Sequence, residues 1–258
     1  MDHLNIHVAG AWLVSAVLLA IRLGMVLVMT PALGSLRIPV QVRVLMVLSF
    51  SALLAGLPGM ASASLPADPL SLLLAACNEV VWGGMLAFGL LAAFAAFMTA
   101  GRLLDLQIGF GLASLLDPAT RSNAPLLGVV LNLFATAWFL ASGLHHAVLR
   151  ALAHSLTVIP LGAPVTAIPA DAILGHFGLM FTLGLVLVGP IALVLLLIDI
   201  AMSITVRMLP QANVFLLSTG VKIMAGLSML AVTVQTMQPG MRKIFDATFD
   251  FWHSVMAR

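Results

Sequence analysis

Apolar runs occupy residues 8–33, 44–57, 70–99, 126–158, 173–206 and 213–236, each bounded by proline, glycine or charge. A helix that crosses a bilayer needs about 20 predominantly apolar residues, and in hydrocarbon its backbone polar groups must be bonded within the segment itself. The runs therefore predict an all-α, multi-pass membrane protein with about six apolar segments. Composition agrees. Apolar residues make up 62% of the 258 positions and charged residues 8%, with mean hydropathy +1.17. An average globular chain carries about a quarter charged residues, and a water-soluble fold with so little charge could not cover its surface.

The lengths are uneven. The run at 44–57 is short for a span, whereas those starting at 70, 126 and 173 are overlong, so bent helices and helical hairpins are expected rather than six straight rods. Pro190 divides the run 173–206, and a proline inside a helix removes one backbone bond and kinks it; either a kinked span or a bent hairpin satisfies that pattern. The loops test orientation. With the N-terminus outside, the inward connections carry Arg37, Arg43, Arg102, Arg121 and Arg207, while 58–69 and 159–172 carry no Lys or Arg. This is the positive-inside bias. The tail, with Arg242, Lys243 and Arg258, conflicts with it under simple alternation; a hairpin at Pro190 would change its side.

Several function classes are excluded or disfavoured by the residues. The pI is near 9.3, but net charge is only +2 and no window clusters Lys and Arg with aromatics, so no nucleic-acid partner is expected. The one cysteine, Cys77, lies within an apolar run and excludes disulfide frameworks. No Lys or Arg precedes Arg22, so a basic signal-peptide region is lacking and the first run is expected to remain in the mature protein. There is no HExxH and no GxSxG; His145 and His146 are adjacent and diverge on a helix, and His146 and His154 are two turns apart. No catalytic residue, metal or cofactor is expected.

Polar residues inside apolar runs are costly and mark sites of function or assembly. Arg22, Glu79, Asp199 and Lys222 are four such residues; the bland reading makes them structural ion pairs, and the sharper one makes Glu79 or Asp199 a proton relay in a self-contained proton-coupled solute or ion transporter. Inverted repeats, which would favour a transporter, are not evident. Gly84, Phe88, Ala92, Ala96 and Ala100 recur every four residues, with Gly83, Gly89, Ala93 and Ala95 beside them, as in helices packed backbone to backbone. His146, Arg150 and His154 form a polar stripe at helical spacing, expected to face water, a pore or another subunit. The tail, 237–258, is amphipathic: Met241, Phe245, Phe249, Trp252 and Met256 oppose Arg242, Asp246, Asp250 and His253. It suits the membrane interface or a partner helix.

Residues 100–111, AGRLLDLQIGFG, followed by Leu116-Asp117-Pro118, form a polar, glycine-bearing stretch between apolar runs. The stretch resembles the AG-x-x-x-D-x-Q-x-G-F then D-P block of the FliR family, which includes the SpaR, YscT and HrcT components of injectisomes. Further blocks match in order: Ile38-Pro39 with Arg43; Glu79 with Gly83-Gly84; Gly143 with His145-His146, Ser155, Pro160 and Gly162; Pro190; Asp199; and Arg207-x-x-Pro210-Gln211-x-Asn213-Val214-Phe215 with Lys222. One departure is Gly220, where the pattern leads one to expect proline. The N-V-F-x-L-S and K-I-x-x-G-L phrasing looks more flagellar than injectisome-like.

The resemblance implies a non-enzymatic subunit of the type III export gate, one integral membrane domain over 1–258, in the bacterial inner (cytoplasmic) membrane at the flagellar basal body. It implies assembly with FliP-like and FliQ-like subunits into a channel for unfolded protein substrates, with FlhB-like and FlhA-like components nearby. It also implies that the segment 109–125 contributes a plug. Gly109 and Gly111 would give it mobility, and Phe110, Leu112, Leu115 and Leu116 could fill a dry constriction that gates by dewetting. Arg22, Glu79, Asp105, Asp199, Arg207 and Lys222 remain the candidate intramembrane and assembly residues.

Overall fold

The computed structural model describes residues 2–31, 39–56, 68–110, 125–208 and 214–257. Among them every regular element is helical: α1 (Asp2–Met29), α2 (Val40–Ala55), α3 (Pro69–Ile108), α4 (Leu126–Ala141), α5 (Leu144–Val158), α6 (Ala170–Met208), α7 (Val214–Thr233), a 3-10 turn (Val234–Thr236) and α8 (Gln238–Met256). The chain is thus an all-α, multi-pass membrane protein.

Among the described residues three helices are long and apolar enough to cross a bilayer, α1 through Trp12–Met29, α3 and α6, and the spans number up to five if each of two bent helix pairs is one span. At 40 and 39 residues, α3 and α6 run to about 60 Å at 1.5 Å per residue, twice the roughly 30 Å of hydrocarbon. They must tilt or extend beyond the lipid. The expected bends are present, but not where proline suggested. α4 and α5 meet at 72°, and Ser218–Thr236 meets α8 at 64°. Gly143, at φ +73°, supplies the left-handed residue at the first break. The hairpin at Pro190 does not form: α6 continues through it, with Leu187, Val188, Ile191 and Leu195 buried on either side of the proline. Packing on one face accompanies the lost hydrogen bond, which membrane helices tolerate. That route for the basic tail to change sides is therefore removed. α7 likewise continues through Gly220, so the missing proline leaves local geometry helical.

The chain forms two compact units, residues 1–92, 136–176 and 248–258, and residues 93–135 and 177–247. In the first, Leu19, Ala55 and Leu156 bring α1, α2 and α5 together. There the second half of α8 buries Trp252, whose indole N–H donates to the Leu86 carbonyl at 2.9 Å. In the second unit, Phe245 stacks on Phe97 at a centroid distance of 5.8 Å and meets Phe94 edge-on at 5.5 Å. The tail's apolar face thus docks on α3 of its own chain.

The small-residue face of α3 is used the same way. Ala92, Ala96 and Ala100 are buried, and a Cβ on Gly184 of α6 would lie 2.7 Å from the Ala96 carbonyl oxygen. A Cβ on Gly101 would lie 2.4 Å from the Gly128 Cα, so α3 and α4 touch backbone to backbone. Ala95 faces outward. His146, Arg150 and His154 on α5 are exposed together, as their spacing requires.

Candidate functional site: two buried polar centres

Each unit contains a polar centre assembled from residues that are far apart in sequence. In the first unit, Arg22 of α1 and Glu79 of α3 are 1% and 0% exposed. The guanidinium meets the carboxylate as a fork, Nε to Oε2 at 2.6 Å and Nη2 to Oε1 at 2.9 Å. Its remaining nitrogen, Nη1, donates to the carbonyls of Ile159 at 3.0 Å and Ser155 at 3.3 Å. Glu79 Oε1 also accepts the Gly162 N–H at 2.8 Å. Two charges out of water are tolerable only when geometry is good and the leftover donors and acceptors are satisfied; this centre meets both conditions.

The centre fastens the chain leaving α5. The Ala163 N–H donates to the Pro160 carbonyl, closing a turn whose third residue, Gly162, has φ +76°. That conformation favours glycine, and a Cβ there would also sit 3.1 Å from the Ala75 Cβ. Asn78 and Trp82, one residue before and three after Glu79, donate to the carbonyls of Gly162 and Ala163 at 3.4 and 3.2 Å. Thus α3 presents one face of Asn78, Glu79 and Trp82 to this turn.

In the second unit, the Asp105 carboxylate, 4% exposed, accepts the Leu127 N–H at 3.0 Å and the Gly128 N–H at 3.4 Å. It sits at the N-terminus of α4, where free backbone N–H groups and the helix dipole favour an anion. Lys222 of α7 is ion-paired with Asp199 of α6, and its Nζ donates to the Gln107 carbonyl at 3.2 Å. This pair is less enclosed, with side chains 17% and 44% exposed.

The four intramembrane charges therefore resolve as two ion pairs, Arg22 with Glu79 and Lys222 with Asp199, in separate units. Arg207 ends α6 exposed and pairs with none of them. Gly109 and Phe110 follow α3, whereas Gly111, Leu112, Leu115 and Leu116 lie outside the described residues. Sequence reasoning named Ser155, Pro160 and Gly162 only as parts of the resemblance; Ser155 bonds Arg22, Gly162 bonds Glu79, and Pro160 opens the turn that carries Gly162. It passed over Asn78 and Trp82, whose signal was their position one residue before and three after Glu79 on the same helix.

Long apolar helices, sharp bends and buried charges bonded across helices define a multi-pass membrane protein. The chain matches the family described as bacterial export proteins, family 1, over residues 13–248, and it belongs to that family. It is 25% identical over 228 residues to the flagellar biosynthetic protein FliR of Escherichia coli (strain K12), covering 88% of this chain and 87% of the relative. It is 30% identical over 194 residues to the FliR of Bacillus subtilis (strain 168), covering 72% and 73%. It is also similar to the surface presentation of antigens protein SpaR of Shigella flexneri, at 27% over 181 residues and 70% of each chain.

Proposed function

We propose that this protein is a non-enzymatic subunit of a flagellar type III export gate in the bacterial inner membrane. With FliP-like and FliQ-like subunits, and beside FlhB-like and FlhA-like components, it lines the path taken by unfolded export substrates. The observation that carries this reading is the family match across residues 13–248, which takes in the three long apolar helices from Leu13 through Met208. Relatives named for both flagellar biosynthesis and antigen presentation support a part common to the two export systems.

The centres described above favour a structural over a transporting role. Glu79, the residue that suggested a proton relay, has a fork partner in Arg22 and a further donor in Gly162. A group so engaged is a packing element first. Deleting the gene should abolish external filaments and secretion of their subunits while the ATP-hydrolysing export enzymes keep their activity, and a plasmid copy should restore both; normal filaments in a clean deletion would refute the proposal.

The plug belongs to the same proposal and rests on the resemblance alone. Replacing Phe110 and Leu112 by Ala should let ions and small solutes leak through assembled complexes, because a dry constriction is lost. Wild-type tightness with wild-type complex yield would remove the plug from the proposal.

A further inference from the structure

Asp105 fastens two helix ends at once. Its backbone carbonyl accepts the N–H of Gly109 at 3.1 Å and of Phe110 at 3.0 Å, and Gly109 has φ +98°. A left-handed glycine with a bond from the next residue back to the carbonyl five positions earlier is the Schellman ending. The side chain of the same residue accepts the Leu127 and Gly128 N–H groups that open α4. The chain therefore leaves α3 and enters α4 at one residue. Two neighbours reinforce the arrangement. Gly101 and Gly128 hold α3 and α4 in backbone contact. Lys222, positioned by Asp199, brings a cation to the Gln107 carbonyl in the last turn of α3, where the dipole favours positive charge.

We propose that Asp105 is a positioning residue for export: a double cap that ties the end of α3 to the start of α4, with Lys222 securing the α3 end. This rests on the reading of the protein as an export-gate subunit. The carboxylate is specific to the task. Asn keeps the size and one acceptor oxygen but not the charge that favours a helix N-terminus, whereas Ala keeps neither.

The test uses the full-length protein in its membrane complex, with Asp105→Asn, Asp105→Ala and, from the α3 end, Gly109→Ala. Amide hydrogen exchange reads the cap directly at Leu127 and Gly128; secretion reads its consequence. We expect exchange at those two amides to rise by about tenfold in Asp105→Ala and less in Asp105→Asn. The amides of Gly162 and Ala163 should not change. Secretion should fall in the same order, with complex yield retained in Asp105→Asn. Unchanged exchange at Leu127 and Gly128 would overturn the double cap whatever export does. Raised exchange with wild-type secretion would overturn the positioning role. If Asp105→Ala yields no complex, Asp105→Asn and Gly109→Ala decide by the same criteria. A wild-type plasmid copy that fails to restore secretion to the deletion strain would instead count against the export reading.

Discussion

The Arg22 guanidinium has four hydrogen bonds within the first unit, two to Glu79 and two to the carbonyls of Ser155 and Ile159. Removing one member leaves the other charge buried and unpaired, which costs about 3–5 kcal/mol. Glu79→Ala and Arg22→Ala should therefore each sharply reduce folded protein in the membrane. Arg22→Lys should rescue poorly, since an ammonium cannot reproduce a planar fork and two carbonyl contacts together. Yield and thermal unfolding in detergent check this; normal yield with loss of proton-driven secretion in Glu79→Ala would restore the relay reading. Gly162→Ala is a milder probe of the same centre. A left-handed residue bearing a Cβ costs about 1–2 kcal/mol, and that Cβ would meet Ala75 at 3.1 Å, so a lower melting temperature with retained assembly is expected. The four charged residues were visible in the sequence because charge inside apolar runs is rare. Their pairing was not, because Arg22 and Glu79 are 57 residues apart and no local periodicity encodes a contact between helices.

At the scale of elements, helix existence followed from hydropathy and helix ends did not. The apolar run 70–99 becomes a helix that continues to Ile108, past Arg102 and Asp105, because the Asp105 charge is absorbed by the α4 N-terminus and ceases to be a stop. The bends moved for a related reason: proline at 190 is tolerated inside a packed helix, whereas Gly143 takes a conformation that a helix cannot contain. Helix packing yields two predictions. Gly101→Leu should drive α3 from α4, since even a Cβ would lie 2.4 Å from a backbone atom; loss of folded protein is expected, and unchanged thermal stability would show that the two helices are not in backbone contact. Trp252→Ala removes a buried indole and its bond to Leu86, a loss of about 3–5 kcal/mol. By contrast, His146→Ala and Arg150→Ala on the exposed stripe should change stability within about 0.5 kcal/mol. Melting curves of the three variants side by side separate docked tail from open stripe.

At the scale of the whole molecule, the polar economy of the chain is consistent with a part made for assembly. The buried Arg22, Glu79 and Asp105 bond backbone groups of their own chain, and Arg22 and Glu79 bond each other, while α6 leaves Leu174, Phe177, Phe181, Val186, Leu193 and Leu197 exposed along its length. Such exposed apolar surface suits lipid or neighbouring subunits. The amino-acid pattern gave class and family together, since apolar runs report the membrane and the spaced motif blocks report the relatives; the choice of neighbouring subunits is written in surfaces that a single chain does not display. Purification from native membranes under mild detergent tests the central claim most directly. The account predicts a discrete complex in which this chain co-purifies, in fixed stoichiometry, with other integral membrane export proteins. A solitary, monodisperse chain that carries a small solute or ion across liposomes would contradict it.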